Sequence, residues 1–502
     1  MSENFLTLRM LGIDTQQEHT VYMRRDCHVC RAEGFDSLTR VEVECNGRHL
    51  MATLNVIDGE LLGAGEAGLS KLAVQELGGR NGDRVVVRHA PTLDSLSALR
   101  AKIYGHRLGY QPLRSIITDV VEGHYADIHV AAFLSACAGG RMDVQETTDL
   151  TRAMVDAGEV IDWRRPMVLD KHCVGGLPGN RTSPIVVAIV AAAGYVIPKT
   201  SSRAITSPAG TADVMETITQ VDLDVASMRR VVEREGGCMV WGGALTLSPA
   251  DDVLIRVERP LDLDSDAQLV ASVLSKKIAA GATHAVIDIP VGPSAKLRSE
   301  HDATRLQALL DSVAQACGLK LRVIRSDGTQ PVGHGIGPAL EARDVLAVLR
   351  GQAGAPEDLK ARALALAAAL LEFGGDGTQE AARDKAQRLL ESGLAWKKFQ
   401  GICAAQGGMR EPGVASLRHD VLTDRAGYIA AIDCRRLARA AKLAGAPTSP
   451  TAGLELHIRL GDRIERGEPL FTLHAEAPGE LEYALQYVGK HPAVYLTDEL
   501  SA

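Results

Sequence analysis

One stretch constrains the fold of this chain more than any other: Asp170-Lys171-His172-Cys173-Val174-Gly175-Gly176-Leu177-Pro178-Gly179-Asn180-Arg181-Thr182-Ser183. A strand-like run, 166–170, enters it and an apolar run, 184–193, leaves it. Strand, glycine-rich turn and helix in that order are the parts of a βα unit. In such a turn the small residues let backbone N–H groups converge on an anion, which the helix N-terminus also attracts. Lys171 adds a point charge at the mouth and His172 a titratable group. The glycines alone would suit an ordinary tight turn. With Lys-His before them and Thr182-Ser183 after them, the pattern favours a phosphate site.

A second stretch repeats the order. After a short strand at 195–198 comes Thr200-Ser201-Ser202-Arg203-Ala204-Ile205-Thr206-Ser207-Pro208-Ala209-Gly210-Thr211-Ala212-Asp213-Val214-Met215-Glu216, a loop rich in hydroxyls that leads into another helix. Two successive βα units put both loops at the carboxyl ends of neighbouring parallel strands, where open α/β sheets bind ligands.

Together the patterns Asp-Lys-His-x-x-Gly-Gly and Ser-x-Arg-x-x-x-x-x-x-Gly-Thr-x-Asp-x-x-Glu resemble the thymidine/pyrimidine-nucleoside phosphorylase family. The likeness continues through Ala271-Ser272-Val273-Leu274-Ser275-Lys276-Lys277 into a β-rich carboxyl-terminal region. Pro178-Gly179-Asn180-Arg181 and the long amino-terminal segment resemble the longer branch of that family, which holds bacterial thymidine phosphorylases of type 2 and archaeal AMP phosphorylases. The resemblance implies that Lys171, Gly176, Ser183, Ser201 and Thr211 bind phosphate. It implies that Ser202, Arg203, Ser272, Lys276 and Lys296 bind a nucleoside or nucleotide. Cys173 stands where members of the family usually carry serine, a better hydrogen-bond donor. The arginine that accompanies Ser272 and Lys276 falls on either Arg256 or Arg259. His172 is the expected acid toward a pyrimidine; in the AMP branch the acid is an aspartate whose position falls on Asp264.

The remaining chain reads as further lobes around this α/β region. Residues 1–90 are mostly β, with Asn46-Gly47 marking a hairpin. Residues 93–160 turn helical, Leu93, Leu96 and Leu99 lying on one face, and 250–280 return to that pattern. Residues 161–413, apart from that return, form the α/β phosphate-binding domain, and 414–502 a carboxyl-terminal α+β lobe. The expected fold is therefore a multidomain α/β protein: a helical bundle beside a mixed or parallel sheet with glycine-rich phosphate loops, flanked by two β-rich lobes. In the family, the helical domain supplies part of the base site and much of a dimer contact, which implies a homodimer or higher homo-oligomer.

Composition removes several classes. The charge of −8, from 55 basic and 63 acidic residues, disfavours a general nucleic-acid binder. No apolar run is long enough to span a bilayer, and the start lacks a signal core. Nine cysteines without a framework suit a reducing cytoplasm. Cys27-His28-Val29-Cys30 has only a lone Cys45 as a further ligand nearby, so no metal is expected. No cofactor is expected either, inorganic phosphate being a co-substrate. The leading expectation is phosphorolysis of thymidine to thymine and 2-deoxy-α-D-ribose 1-phosphate. The alternatives are phosphorolysis of a nucleoside 5′-monophosphate to ribose 1,5-bisphosphate and, in another class, an inactive nucleotide-binding regulator.

Overall fold

The computed structural model describes residues 5–15, 18–204, 207–245, 247–261, 263 and 265–499; the side chain of Arg259 lies outside that description. The chain divides into two compact units, Met1–Cys137 with Arg256–Glu258, and Ala138–Ile255 with Arg259–Ala502.

The first unit begins with a closed six-stranded barrel, in the order Leu6–Met10, Glu66–Leu69, Thr20–Arg24, Arg48–Ile57, Arg40–Cys45, Arg84–His89. Alternation directs the side chains: in Arg40–Cys45 every second residue, Val41, Val43 and Cys45, is buried. Asn46 and Gly47 join that strand to the next with φ of 52° and 76°, the left-handed pair that a two-residue hairpin requires. Three helices follow, Ser95–Ile103, Tyr110–Val121 and Asp127–Cys137. The segment 93–160 is thus shared, since its next helix, Val144–Asp156, belongs to the second unit. Tyr104 and Ile128, in the segment expected to mediate self-association, are 80% and 75% exposed.

In the second unit, Lys320–Asp327, His284–Val291 and Leu169–Cys173 form a parallel three-stranded sheet in that order. Ile197–Ser201 and Gly237–Trp241 form a parallel pair. The Leu169 N–H donates to the Val196 carbonyl at 2.8 Å, so the loop-bearing strands 169–173 and 197–201 start side by side. Between them the chain crosses over through the helix Ser183–Ala192, buried from Ser183 to Ala191, which packs against Glu357–Phe373 and Leu394–Ala405. An apolar helix on a parallel sheet is the arrangement such sheets need on their faces. Val144–Asp156, Asp266–Ala279 and Glu300–Ala316 pack together as helices of the same unit. Two small antiparallel sheets, with the helices Cys434–Leu443 and Pro478–Lys490, make the carboxyl-terminal lobe around Leu437, Leu454, Phe471 and Leu473. This is the multidomain α/β architecture read from the sequence. No described helix is long and apolar enough to cross a membrane.

Candidate active site

The strand that enters the glycine-rich turn runs Leu169–Cys173, three residues further than the sequence suggests. Lys171 and His172 therefore sit on the strand itself, paired in register with Val286 and Ile287, rather than in the turn. Such a strand can carry charges because each has partners. Lys171, 1% exposed, donates from Nζ to Thr182 Oγ1 at 2.6 Å and to Ser183 Oγ at 3.3 Å. Both hydroxyls stand at the N-terminus of the helix Ser183–Ala192. A lysine between two hydroxyls, at the positive end of a helix, is suited to an anion. Burial lowers its pKa, while the nearby thiol and carboxyl of Cys173 and Asp288 act to raise it.

Asp288, fully buried, orders the other side of the turn. Asn180 Nδ2 donates to its Oδ2 at 3.2 Å and also meets Cys173 Sγ at 3.3 Å. Ser326 Oγ donates to its other oxygen at 2.5 Å. Burial, with the Asp288 charge adding to it, pushes the Cys173 thiol up to about 12, which leaves it protonated. Gly175 and Gly176 have φ of 88° and 84°. A Cβ on Gly176 would lie 2.4 Å from the backbone nitrogen of Lys296. The glycine thus admits a second segment of chain, and brings Lys296 to the loop.

Asp170 lies beneath this loop and receives two lysines from other elements. Lys277 Nζ donates to its Oδ2 at 2.5 Å, and Lys199 Nζ lies 3.7 Å from its Oδ1. His172, half-buried, has its pKa driven well below 6.5, first by burial and then by Lys277, Lys199, Lys276 and Lys171. Its ring is neutral near neutral pH and can donate one N–H. The doublet Lys276-Lys277 on the helix Asp266–Ala279 divides its work, since successive residues point about 100° apart. Lys277 turns inward to Asp170. Lys276 reaches Asp251 Oδ2 at 2.7 Å and Ser272 Oγ at 3.1 Å.

The second loop is braced from within. Asp213 accepts from the backbone N–H groups of Ala204 and Gly210 at 2.6 and 2.8 Å. Arg203 donates to both oxygens of Glu216, one at 2.9 Å, and its guanidinium lies 4.7 Å from the centre of the Trp241 ring. Thr211 starts the helix Thr211–Glu216 and accepts from Arg181 Nη1 at 2.7 Å. Ser202 is exposed at the end of the strand. Beside it, Ser201 Oγ is buried without a hydrogen-bond partner, the state expected of a group that meets a ligand.

The structure accordingly joins Lys171 with Ser183, Gly176 with Lys296, and Ser272 with Lys276, while His172 faces the lysine group. Asp264 lies outside the described residues, as does the side chain of Arg259. Arg256 pairs with Asp127 at 2.9 Å within the first unit. Sequence reasoning missed the second tier. Arg181 donates to Glu341, 1% exposed, at 2.8 Å and to the Ala209 carbonyl at 2.9 Å, tying the two loops together. Lys199 was equally silent, its only signal being a charged residue after a strand-like run, and Asp170, though it heads the Asp-Lys-His pattern, carried no sign of the two lysines it receives. Among the described residues one trio, Asp119, Glu122 and His124, brings three potential metal ligands within 4.8 Å of one another. It lies in the first unit, and Cys27 and Cys30 form no such trio.

Comparison with known proteins covers most of the chain. Residues 96–158 match the glycosyl transferase family helical bundle domain, 165–396 the glycosyl transferase family a/b domain, and 428–492 the pyrimidine nucleoside phosphorylase C-terminal domain. A "putative thymidine phosphorylase" of Ralstonia nicotianae is 61% identical over 489 residues, 97% of this chain and 96% of that one. A "putative thymidine phosphorylase 1" of Cupriavidus necator is 60% identical over 486 residues, 97% of this chain and 94% of that one. Anthranilate phosphoribosyltransferase of Thermus thermophilus superposes with a TM-score of 0.52 at 19% identity, over 62% of this chain and 99% of that one. The Saccharomyces cerevisiae enzyme, in complex with PRPP and Mg, gives 0.51 at 14% identity, over 63% and 99%. At such identity these two speak for the fold alone.

Proposed function

The chain belongs to the pyrimidine nucleoside phosphorylase family and is a pentosyltransferase, and from that premise we propose that it splits thymidine with inorganic phosphate. The observation that carries this reading is Lys171, held between the hydroxyls of Thr182 and Ser183 at the head of a helix. A phosphate dianion in that cradle is held ready to attack the anomeric carbon as the bond to the base breaks. Charge then develops on the departing base, and positioned donors stabilise it. His172, as a neutral ring, donates its N–H to a carbonyl oxygen of the pyrimidine. Ser272 and Lys276 contact the base or sugar. The proton that phosphate brings is the one the released base finally holds, so the products are thymine and 2-deoxy-α-D-ribose 1-phosphate. A phosphate-dependent assay across thymidine, uridine, AMP and CMP tests the reading. Base release from thymidine alone is the expected outcome, and release confined to the monophosphates would overturn it.

One observation supports the second reading, a nucleoside 5′-monophosphate as substrate. The backbone of Lys296 is packed against Gly176, which places this residue, expected from the resemblance to bind a nucleotide, at the loop. Lys296→Ala should leave thymidine turnover within about twofold if the first reading holds, and should abolish AMP turnover if the second does.

A further inference from the structure

Three lysines from three elements are buried together beneath the loop: Lys171 on the strand Leu169–Cys173, Lys199 on Ile197–Ser201, and Lys277 on Asp266–Ala279. Their exposures are 1%, 4% and 1%. Lys277 holds Asp170 Oδ2 at 2.5 Å. Lys199 is left with the longer contact of 3.7 Å to the same carboxylate and a hydrogen bond to the Thr200 carbonyl. Lys171 has hydroxyls as its hydrogen-bond partners. Asp170 and Asp288 are the buried carboxylates beside them. Three ammonium groups against two carboxylates would leave one surplus positive charge out of water, an expensive state unless a lysine gives up its proton or an anion arrives.

The position of each group decides which lysine yields. Lys199 is faced by Asp170 from the neighbouring strand, by Lys277 from the helix, and by the thiol of Cys238 from Gly237–Trp241, while the charge of Lys171, next along the strand and turned to Thr182 and Ser183, acts on it through space. His172 lies within reach of the same lysines. Burial and Lys277 both act against an ammonium at Lys199, and Asp170, already held by Lys277, compensates only in part. We infer that Lys199 takes up a proton from solvent when phosphate binds, so that the dianion is met by three buried ammonium groups rather than two. One proton moves from bulk water to Lys199 Nζ and no bond to phosphate is made there. Lys199 is a positioning residue in this scheme, acting through the charge of the pocket. At pH low enough for Lys199 to be charged already in the empty site, no proton is drawn in. In the window where Lys199 is neutral in the empty site and charged in the bound one, each phosphate bound carries one, and affinity falls as pH rises.

The inference rests on the phosphorylase reading of the site, and calorimetry separates the two. Sulfate is the probe of choice, because it remains a dianion and carries no proton of its own, with inorganic phosphate beside it. Binding enthalpies at one pH in buffers of different ionisation enthalpy give the number of protons taken up. The expected result is about one proton per sulfate at mildly alkaline pH, lost in Lys199→Met and retained in His172→Gln. Lys199→Met should also weaken phosphate roughly tenfold in KM near neutral pH with kcat largely kept, a split that a merely misfolded site would not show. Binding without proton uptake in the wild type overturns the inference and leaves the phosphorylase reading standing, and needs no variant to be read. Uptake lost in His172→Gln and kept in Lys199→Met also overturns it, by assigning the proton to the imidazole. No binding of either anion would sink the phosphorylase reading itself.

Discussion

Inside the six-stranded barrel the fully buried side chains include Leu6, Leu8, Val21, Met23, Val41, Val43, Leu54, Val85 and Val87. Beneath the loop of the parallel sheet they include Asp170, Lys171, Lys277 and Asp288, with Lys199 almost as deeply set. Both regions are β-structure closed to water, yet among the described residues one buries no charged side chain and the other holds charges of both signs. An apolar interior is what stability alone selects, since a buried charge must recover a large loss of hydration. Charges kept inside therefore mark where the chain departs from the most stable filling for another reason. The barrel supports a fold; the sheet interior prepares a binding site.

Substitution can break that contrast or sharpen it. The largest effect is expected at His172. His172→Ala should lower kcat by roughly 10²–10⁴-fold, the range of one group acting on a proton or its hydrogen bond. Because burial and four lysines hold the ring well below 6.5, it is uncharged on both sides of that value. Wild-type kcat should therefore stay level as pH rises through it. A descending limb centred there would show that an imidazolium is the donor. Next is Lys171→Ala, which should cost roughly 10²–10³-fold in kcat/KM for phosphate. An unchanged phosphate dependence would remove the cradle from the site.

The contrast in stability comes next. Arg181→Met leaves Glu341 buried without its partner, and should destabilise by about 3–5 kcal/mol while also loosening the two loops. Leu54→Ala in the barrel should cost a similar ~2–5 kcal/mol, from lost burial and the cavity left behind. The separating measurement is phosphate KM below the melting transition. It should move in Arg181→Met and stay put in Leu54→Ala. A barrel variant that shifts KM as much as the loop variant would erase that division of labour.

The sequence makes some of this legible and hides the rest for a common reason. Local chemistry was readable: Asn46-Gly47 forms its hairpin, and the apolar run after Ser183 is a buried helix. Lys171 with Thr182 and Ser183 was also within reach, because the partners lie 11 and 12 residues apart. The second tier was not, since Lys277 meets Asp170 across 107 residues and Arg181 meets Glu341 across 160. Nothing in a strand pattern says which distant charge will arrive beside it. Barrel closure is hidden in the same way, Leu6–Met10 pairing with Glu66–Leu69 on one side and Arg84–His89 on the other. The sequence reading ends the two strands early, at Asp170 and Pro198, where the structure continues to Cys173 and Ser201, because charged or hydroxyl residues look like loop until their buried partners are known.

The smallest effect sharpens the comparison most economically, through two glycines. Gly47 in the barrel hairpin and Gly176 in the site loop both have left-handed φ, 76° and 84°. Alanine at either position meets the same backbone strain, about 1–2 kcal/mol. Around Gly47 there is nothing within 4 Å of where a Cβ would stand. Strain is then the whole cost, and Gly47→Ala should lower Tm by only a few degrees without touching turnover. At Gly176 the same methyl would meet the Lys296 nitrogen at 2.4 Å and its Cβ at 2.8 Å, and backbone there cannot swing aside as a flexible side chain would. Gly176→Ala must displace the 296 segment, so it should raise phosphate KM as well as lower Tm. If the two variants lose equal stability and neither changes KM, close approach at Gly176 is incidental and the loop tolerates a side chain. If KM moves only in Gly176→Ala, identical glycine geometry serves a turn in one region and the shape of a binding site in the other.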